Sequence, residues 1–224
     1  MVYCGVPTVN LQGYLAQLVE SITASQPWKL VLVDNMSTDG TREWIKTLGH
    51  DIILNPKNYG VAKSWNQILH WGFDHADCEA VFIFGNDTVL HPTTIDNMYQ
   101  SMMENGKLAV TGHELGSHRE RFEGWVNGPV ESRYTTAMNF SCFSLTRKLV
   151  EKIGFFDENF LVAYFEDNDY HHRMIAAGLE GVRDCWAPFV HYVSRTINEG
   201  GIRIDAAFRH NQKYFLEKWG FLPK

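Results

Sequence analysis

Short, unbroken apolar runs separated by helix-length stretches constrain this chain more than any other feature. Leu30-Val31-Leu32-Val33 and Val81-Phe82-Ile83-Phe84 show no polar alternation, as expected of strands covered on both faces. Around them, apolar residues recur at helical spacing, for example Leu11, Leu15, Leu18, Val19 and Ile22. Strands are expected at residues 2–6, 30–33, 52–54, 81–84, 108–111, 136–145 and 182–193. Helices are expected at residues 11–23, 61–75, 166–177 and 203–219, and from Pro92 to about residue 104. A further helix, capped by Ser37 or Thr38, carries Trp44, Ile45 and Leu48 and stops before Gly49. This alternation predicts an α/β domain of βαβ units, Rossmann-like, with a mostly parallel central sheet flanked by helices. Ligands of such sheets gather at the carboxyl ends of the strands, so polar clusters there are the first candidates for a site.

With 224 residues and no internal repeat or linker, the chain reads as one domain. A net charge of −6 leaves no basic footprint and argues against polyanion binding as the main role. It does not exclude a nucleotide, which a metal ion and a few donors can hold. Cys4, Cys78, Cys142 and Cys185 are widely spaced and lack a CxxC pair, which excludes neither burial nor reactivity but points away from structural zinc or a disulfide framework. They read as buried thiols of a reducing compartment. No apolar segment approaches the roughly 18 residues that span a bilayer, and a soluble, cytoplasmic chain is expected, with peripheral membrane attachment left open. Seven Trp and nine Tyr serve either the core or a stacking surface for bases and sugars. Regularity fails between His113 and Tyr134, where Arg119, Arg121, Trp125 and Asn127 lie among Gly112, Gly116, Gly124 and Gly128. That stretch is either an acceptor-side loop or surface filling.

Four clusters carry candidate chemistry. Asp87, in Gly85-Asn86-Asp87-Thr88, follows a buried strand, where a carboxylate can hold a divalent cation against a diphosphate. Asp34 is an acceptor-only side chain at another strand end, suited either to the N3–H of a uracil or thymine ring or to capping the next helix. Ser37, Thr38 and Asp39 suit capping better than ligand contact. Asn58 and Lys63 can reach base, ribose or phosphate, or simply face solvent. Glu166-Asp167-Asn168-Asp169 opens a helix, where acidic residues are favoured and where Asp169 can pair with Arg173 one turn on. The same position can present a general base, and a helix N-terminus tends to keep it ionised.

Taken in series, these segments resemble glycosyltransferases of family 2. Val6-Pro7-Thr8-Val9-Asn10 resembles that family's first strand end, and Val33-Asp34-Asn35-Met36-Ser37-Thr38-Asp39-Gly40-Thr41 the segment after its second strand. Asn58, Gly60, Ala62 and Asn66 resemble its Asn-and-Gly loop entering a helix. Gly154-Phe155-Phe156-Asp157-Glu158, with Tyr164-Phe165-Glu166-Asp167-Asn168-Asp169 and Arg173, resembles its acceptor-side motif.

The resemblance implies a GT-A fold, with residues 1–112 binding a nucleotide sugar and residues 113–224 binding the acceptor and carrying catalysis. It implies Pro7, Thr8, Asn10, Asp34, Asn35, Asn58, Gly60, Lys63, Asn66, Asn86 and Asp87 for the donor. Asp87 and His191 would hold Mn2+ or Mg2+, although Gly85-Asn86-Asp87 is a degenerate form of the family's Asp-x-Asp. Asp167 would be the base of an inverting, single-displacement transfer, with Glu166 positioning the acceptor or rivalling it as base. The donor is a UDP-sugar by default. The acceptor is a glycan, a lipid-linked sugar, a protein or a modified nucleobase, in a bacterial or phage setting. Alternatives are a catalytically impaired sugar-binding module, a phage-type enzyme acting on protein or hydroxymethylated DNA bases, and a nucleotidyltransferase. The last is disfavoured because Thr8-Val9-Asn10-Leu11-Gln12-Gly13 lacks a basic residue for a triphosphate. A local basic face would have to come from Arg119, Arg121 and Arg133.

Overall fold

The computed structural model describes residues 1–122, 125, 132–193, 195 and 199–223, without the side chains of Arg119 and Arg121. Gly124, Asn127 and Gly128 lie outside the described residues. The described strands are β1 (Val2–Thr8), β2 (Trp28–Asp34), β3 (Asp51–Leu54), β4 (Ala80–Phe84), β5 (Thr88–Leu90), β6 (Ala109–Glu114), β7 (Tyr134–Thr136), β8 (Cys142–Thr146) and β9 (Val182–His191). The described helices are α1 (Gln12–Ser21), α2 (Thr41–Ile45), α3 (Val61–Phe73), α4 (Thr94–Met103), α5 (Arg147–Ile153), α6 (Glu166–Ala176) and α7 (Asp205–Trp219).

All nine strands join one sheet in the order β3-β2-β1-β4-β8-β6-β9-β5, with β7 pairing β9. The β3-β2-β1-β4 portion is parallel throughout. Strand β8 then enters antiparallel between β4 and β6, and β9 runs parallel to β6. The expected mostly parallel sheet is therefore found: β1, β2, β3, β4, β6 and β9 share one direction, and β5, β7 and β8 oppose it.

Strand alternation sorts the apolar residues into two layers. Val2, Cys4 and Val6 of β1 face a cluster with Leu15, Leu18, Ile45, Ile95 and Met98 from α1, α2 and α4. Tyr3, on the other face, joins Trp65, Ile68, Leu149, Tyr170 and Met174 from α3, α5 and α6. Phe160, Phe165 and Phe215 form a third, smaller cluster beneath α7. All four cysteines are free and buried, as anticipated. No described helix is long and apolar enough to cross a membrane.

Several expectations need correction. The strand expected over 136–145 is split into β7 and β8, because the Asn139 side chain turns the chain between them: its Oδ1 accepts the Ser141 N–H at 2.7 Å. Neither Ser37 nor Thr38 caps α2. The N-cap is Gly40; Asp39 just before it accepts the Thr41 N–H at 3.0 Å, while Ser37 Oγ accepts the Asn10 N–H at 2.7 Å. Helix α4 starts at Thr94 rather than at Pro92. Helix α5 and strand β5 were not anticipated; α5 is short and capped by Thr146, whose hydroxyl accepts the Leu149 N–H.

Gly5 sets how closely α3 approaches the sheet. A Cβ there would lie 2.2 Å from Ile68 Cγ2. Gly5→Ala should therefore lower unfolding free energy by roughly 1–3 kcal/mol through overpacking, read as a shifted urea midpoint at constant m-value.

Candidate functional site

The carboxyl ends of β1, β2 and β4 open into one cavity of about 530 Å³, lined among others by Pro7, Thr8, Asn35, Asn86 and Asp87. The second half of the chain contributes Met138 to Ser141, Val162 to Tyr164, Glu166, Asp167, Arg183 and His191. Its size lies within the range of small-molecule sites.

Asp87 is presented by a tight turn after β4, in which the Thr88 N–H donates to the Gly85 carbonyl at 3.0 Å. Strand β5 then pairs antiparallel with β9, setting Thr88 opposite His191. The result brings Asp87 Oδ1 within 3.3 Å of His191 Nε2. On the other side of the imidazole, Nδ1 lies 3.6 Å from Glu114 Oε2. Glu114 also accepts a hydrogen bond from Asn139 at 2.7 Å, and Asp87 Oδ2 accepts the Arg195 N–H at 3.1 Å. Burial by itself would lower the His191 pKa, but the two flanking carboxylates raise it to about 9. Burial likewise opposes ionisation of Asp87, and His191 with the Arg195 N–H overcomes it, so its pKa is lowered.

These residues fit a divalent cation. Two neighbouring ligands on a small octahedral ion, each about 2.1 Å from it, stand about 3 Å apart, close to the Asp87–His191 separation of 3.3 Å. Glu114, at the second imidazole nitrogen, is placed as a carboxylate that orients a ligating histidine. No group of three ligating side chains occurs among the described residues, so ligand oxygens and water would have to complete the shell.

Glu166 and Asp167 start α6 and face the same cavity. The chain reaches them through left-handed backbone at Val162, Tyr164 and Phe165, with φ of 58°, 77° and 74°, conformations that cost side-chain-bearing residues energy. Two contacts hold this segment. Gly60 packs so closely that a Cβ would lie 2.8 Å from Val162 N, and the Val61 N–H donates to the Val162 carbonyl at 2.7 Å. Asn211 of α7, fully buried, accepts the Leu161 N–H at 2.8 Å and donates to the carbonyls of Leu161, Ala163 and Tyr164. Burial works against the ionised form that the helix N-terminus favours. Burial, then the Asp167 charge, raises the Glu166 pKa to about 8, and burial also raises that of Asp167.

Not every anticipated residue reaches the cleft. Pro7, Thr8, Asn35, Asn58, Gly60, Asn86, Asp87, Glu166, Asp167 and His191 line it. Asp34 lies behind it: the side chain is fully buried, ion-paired with Arg42 at 2.6 Å, and accepts the Met36 and Ser37 N–H groups. Asn10 bridges the Thr38 N–H and the Gly200 carbonyl. Lys63 pairs with Glu158 at 2.8 Å, and Asn66 holds the backbone of Phe156 from both sides. Arg133 is committed to the buried Asp184 at 2.9 Å and supplies no basic face. The sequence reading missed Glu114, Arg183 and Asn211. Glu114 fell at the edge of the irregular stretch, and nothing local marks the other two.

A model of glycosyl transferase family 2 matches residues 3–172, and the chain belongs to that family. A galactofuranosyl glycosyltransferase of Leishmania donovani is 37% identical over 89 residues, covering 39% of this chain and 20% of that protein. Among solved structures, the mannosyltransferase PcManGT from Pyrobaculum calidifontis, in complex with GDP-Man and Mn2+, matches 99% of this chain and 65% of its own. The TM-score is 0.66 at 21% identity. S. aureus TarS matches 97% of this chain and 39% of its own, with a TM-score of 0.66 at 17% identity. The fold is thus the expected GT-A fold, and this chain spans less than two thirds of the length of each of these proteins.

Two measurements test the geometry. In metal-free protein, NMR titration should show His191 protonated through neutral pH with a midpoint near 9, moving toward 6.5 in Asp87→Asn. Because the folded pKa is raised, its contribution to stability is complete below about 6.5 and is lost as pH rises through about 9. Asn211→Ala strips partners from buried backbone groups and should cost roughly 3 kcal/mol in chemical denaturation.

Proposed function

We propose that this protein is a cation-dependent, inverting glycosyltransferase that moves a sugar from a nucleotide-sugar donor to an acceptor hydroxyl. One observation carries the reading: Asp87 and His191 share a single cleft with Glu166 and Asp167. A site for a diphosphate leaving group and a candidate base thus face the same space. The GDP-Man and Mn2+ held by the similar mannosyltransferase support the same assignment.

Asp87 and His191 would hold Mn2+ or Mg2+, which when bound supplies positive charge to the departing diphosphate. Thr8, Asn35, Asn58 and Asn86 line the half of the cleft assigned to the donor. The buried Asp34–Arg42 pair supports that wall from behind. The acceptor oxygen attacks the anomeric carbon as the bond to the diphosphate oxygen breaks, and the acceptor proton passes to Asp167. Configuration at the anomeric carbon inverts. The raised pKa of Asp167 makes it a stronger base than an ordinary aspartate. Burial and the neighbouring Asp167 charge favour the protonated form of Glu166, which can donate a hydrogen bond to the acceptor.

UDP-sugars are the first donors to test, and GDP-sugars the second. Asp87→Ala should abolish the cation-dependent thermal shift produced by the donor. Asp167→Asn should keep that shift and lower transfer by roughly 10²- to 10⁴-fold. Near-normal transfer by Asp167→Asn would reject it as base. The pH profile of kcat/KM should fall on the acid side as the base protonates, with a midpoint above the usual aspartate value.

A further inference from the structure

Strand β9 carries an irregularity that turns a second cationic group into the cleft. Thr111 pairs with Arg183 and His113 with Pro188, so a step of two residues on β6 faces a step of five on β9. Bulged strands bend and re-aim side chains. Here the extra length brings both Arg183 and His191 to the wall of one cavity.

Among the described residues lining that cavity, Arg183 is the sole lysine or arginine. Its Nε is buried and has no hydrogen-bond partner. Arg183 forms no ion pair within 4.0 Å among the described residues, although its charge reaches Glu114 and helps to hold that carboxyl's pKa down. The adjacent Asp184 is occupied by Arg133, Ser101 and the Trp186 N–H. Glu114 is held by Asn139 and His191. Other cations near the cleft are neutralised, Lys63 by Glu158 and Arg42 by Asp34. A guanidinium offers five donors in a fork suited to carboxylate or phosphate, and a buried N–H without a partner, as at Nε of the half-buried Arg183, is costly to keep.

Under the reading above, Arg183 falls in the half of the chain assigned to the acceptor and lines the same cavity as Glu166 and Asp167. Gly181, two residues earlier, abuts Met138 and Met174, where a Cβ would lie 2.3 Å and 3.3 Å from their side chains. Met138 lines the cleft and Met174 belongs to α6, whose first residues are Glu166 and Asp167. The diphosphate already has its own place at Asp87 and His191.

We propose that Arg183 recognises an anionic group, phosphate or carboxylate, on the sugar acceptor. The inference rests on the transferase reading above and narrows its acceptor to an acidic one.

The test uses the full chain saturated with Mn2+ and whichever nucleoside diphosphate, UDP or GDP, gives the larger thermal shift. Calorimetry then compares glucose, glucose 6-phosphate and glucuronate, and the matching galactose series. The phosphate and carboxylate arms distinguish the two sources of charge. In wild type, at least one anionic form should bind roughly 10- to 100-fold tighter than its neutral parent, as a charge-assisted contact provides. Arg183→Gln should erase that preference and Arg183→Lys should retain part of it. Equal binding of neutral and anionic sugars by wild type would overturn the proposal. So would an Arg183→Gln variant that weakens nucleoside diphosphate by the same factor, which would put Arg183 on the donor. If neither nucleoside diphosphate binds, the transferase reading fails first, and the two failures are distinguishable.

Discussion

The imidazole of His191, set between Asp87 and Glu114, is the contact on which the site depends. It joins the end of β4, the end of β6 and the end of β9, three strands far apart in sequence. Two carboxylates so close in a partly buried pocket would repel each other without a positive group between them. A protonated imidazole meets that need in the apo protein, and the same place suits a divalent cation held against a diphosphate. The short strand β5 makes the contact possible, because its pairing with β9 places Thr88 opposite His191 and carries Asp87 alongside.

The second half of the site is held by strain and its compensation. Val162, Tyr164 and Phe165 adopt left-handed backbone just before the candidate base. Each such residue costs on the order of 1 kcal/mol or more. Asn211 offsets this with hydrogen bonds to the same loop, while Phe160, Phe165 and Phe215 bury apolar surface beneath α7. Helix α7 is further tied to α6 by Lys218 and Trp219, both of which reach Asp169. The C-terminal helix thus belongs to the machinery that aims Glu166 and Asp167, although none of its side chains lines the cleft.

Burial outweighs local electrostatics at this pair. Helix N-termini favour anions by a few tenths to about 1 kcal/mol at exposed positions. Removing a carboxylate from water costs more than that, and a neighbouring negative charge adds to it. The raised pKa of Glu166 follows from this order, burial first and the Asp167 charge second. A sequence shows that acidic residues start a helix, but not how deeply they are buried.

Much of the fold was legible because period and continuity are local properties. The apolar runs of β1, β2 and β4 and the stripes of α1 and α3 announced a parallel sheet between helices; Asp87 and the acidic start of α6 stood out at element ends, while His191 and the choice of Asp167 came from the family resemblance. Elements too short to carry a period, β5 and α5, left no comparable signal. Asp34 shows the limit for side chains: its place after a strand suited a ligand, but Arg42, eight residues on, folds back and occupies it. By itself the sequence determined the longer strands and helices and which polar residues follow the main strands, since spacing along one chain dictates both. Only the tertiary structure decided that Glu114 flanks His191, that the Arg183 Nε is buried without a hydrogen-bond partner and that Asn211 clamps a distant loop. Those roles arise from packing between segments remote in sequence, where partner and burial, not residue type, set the chemistry.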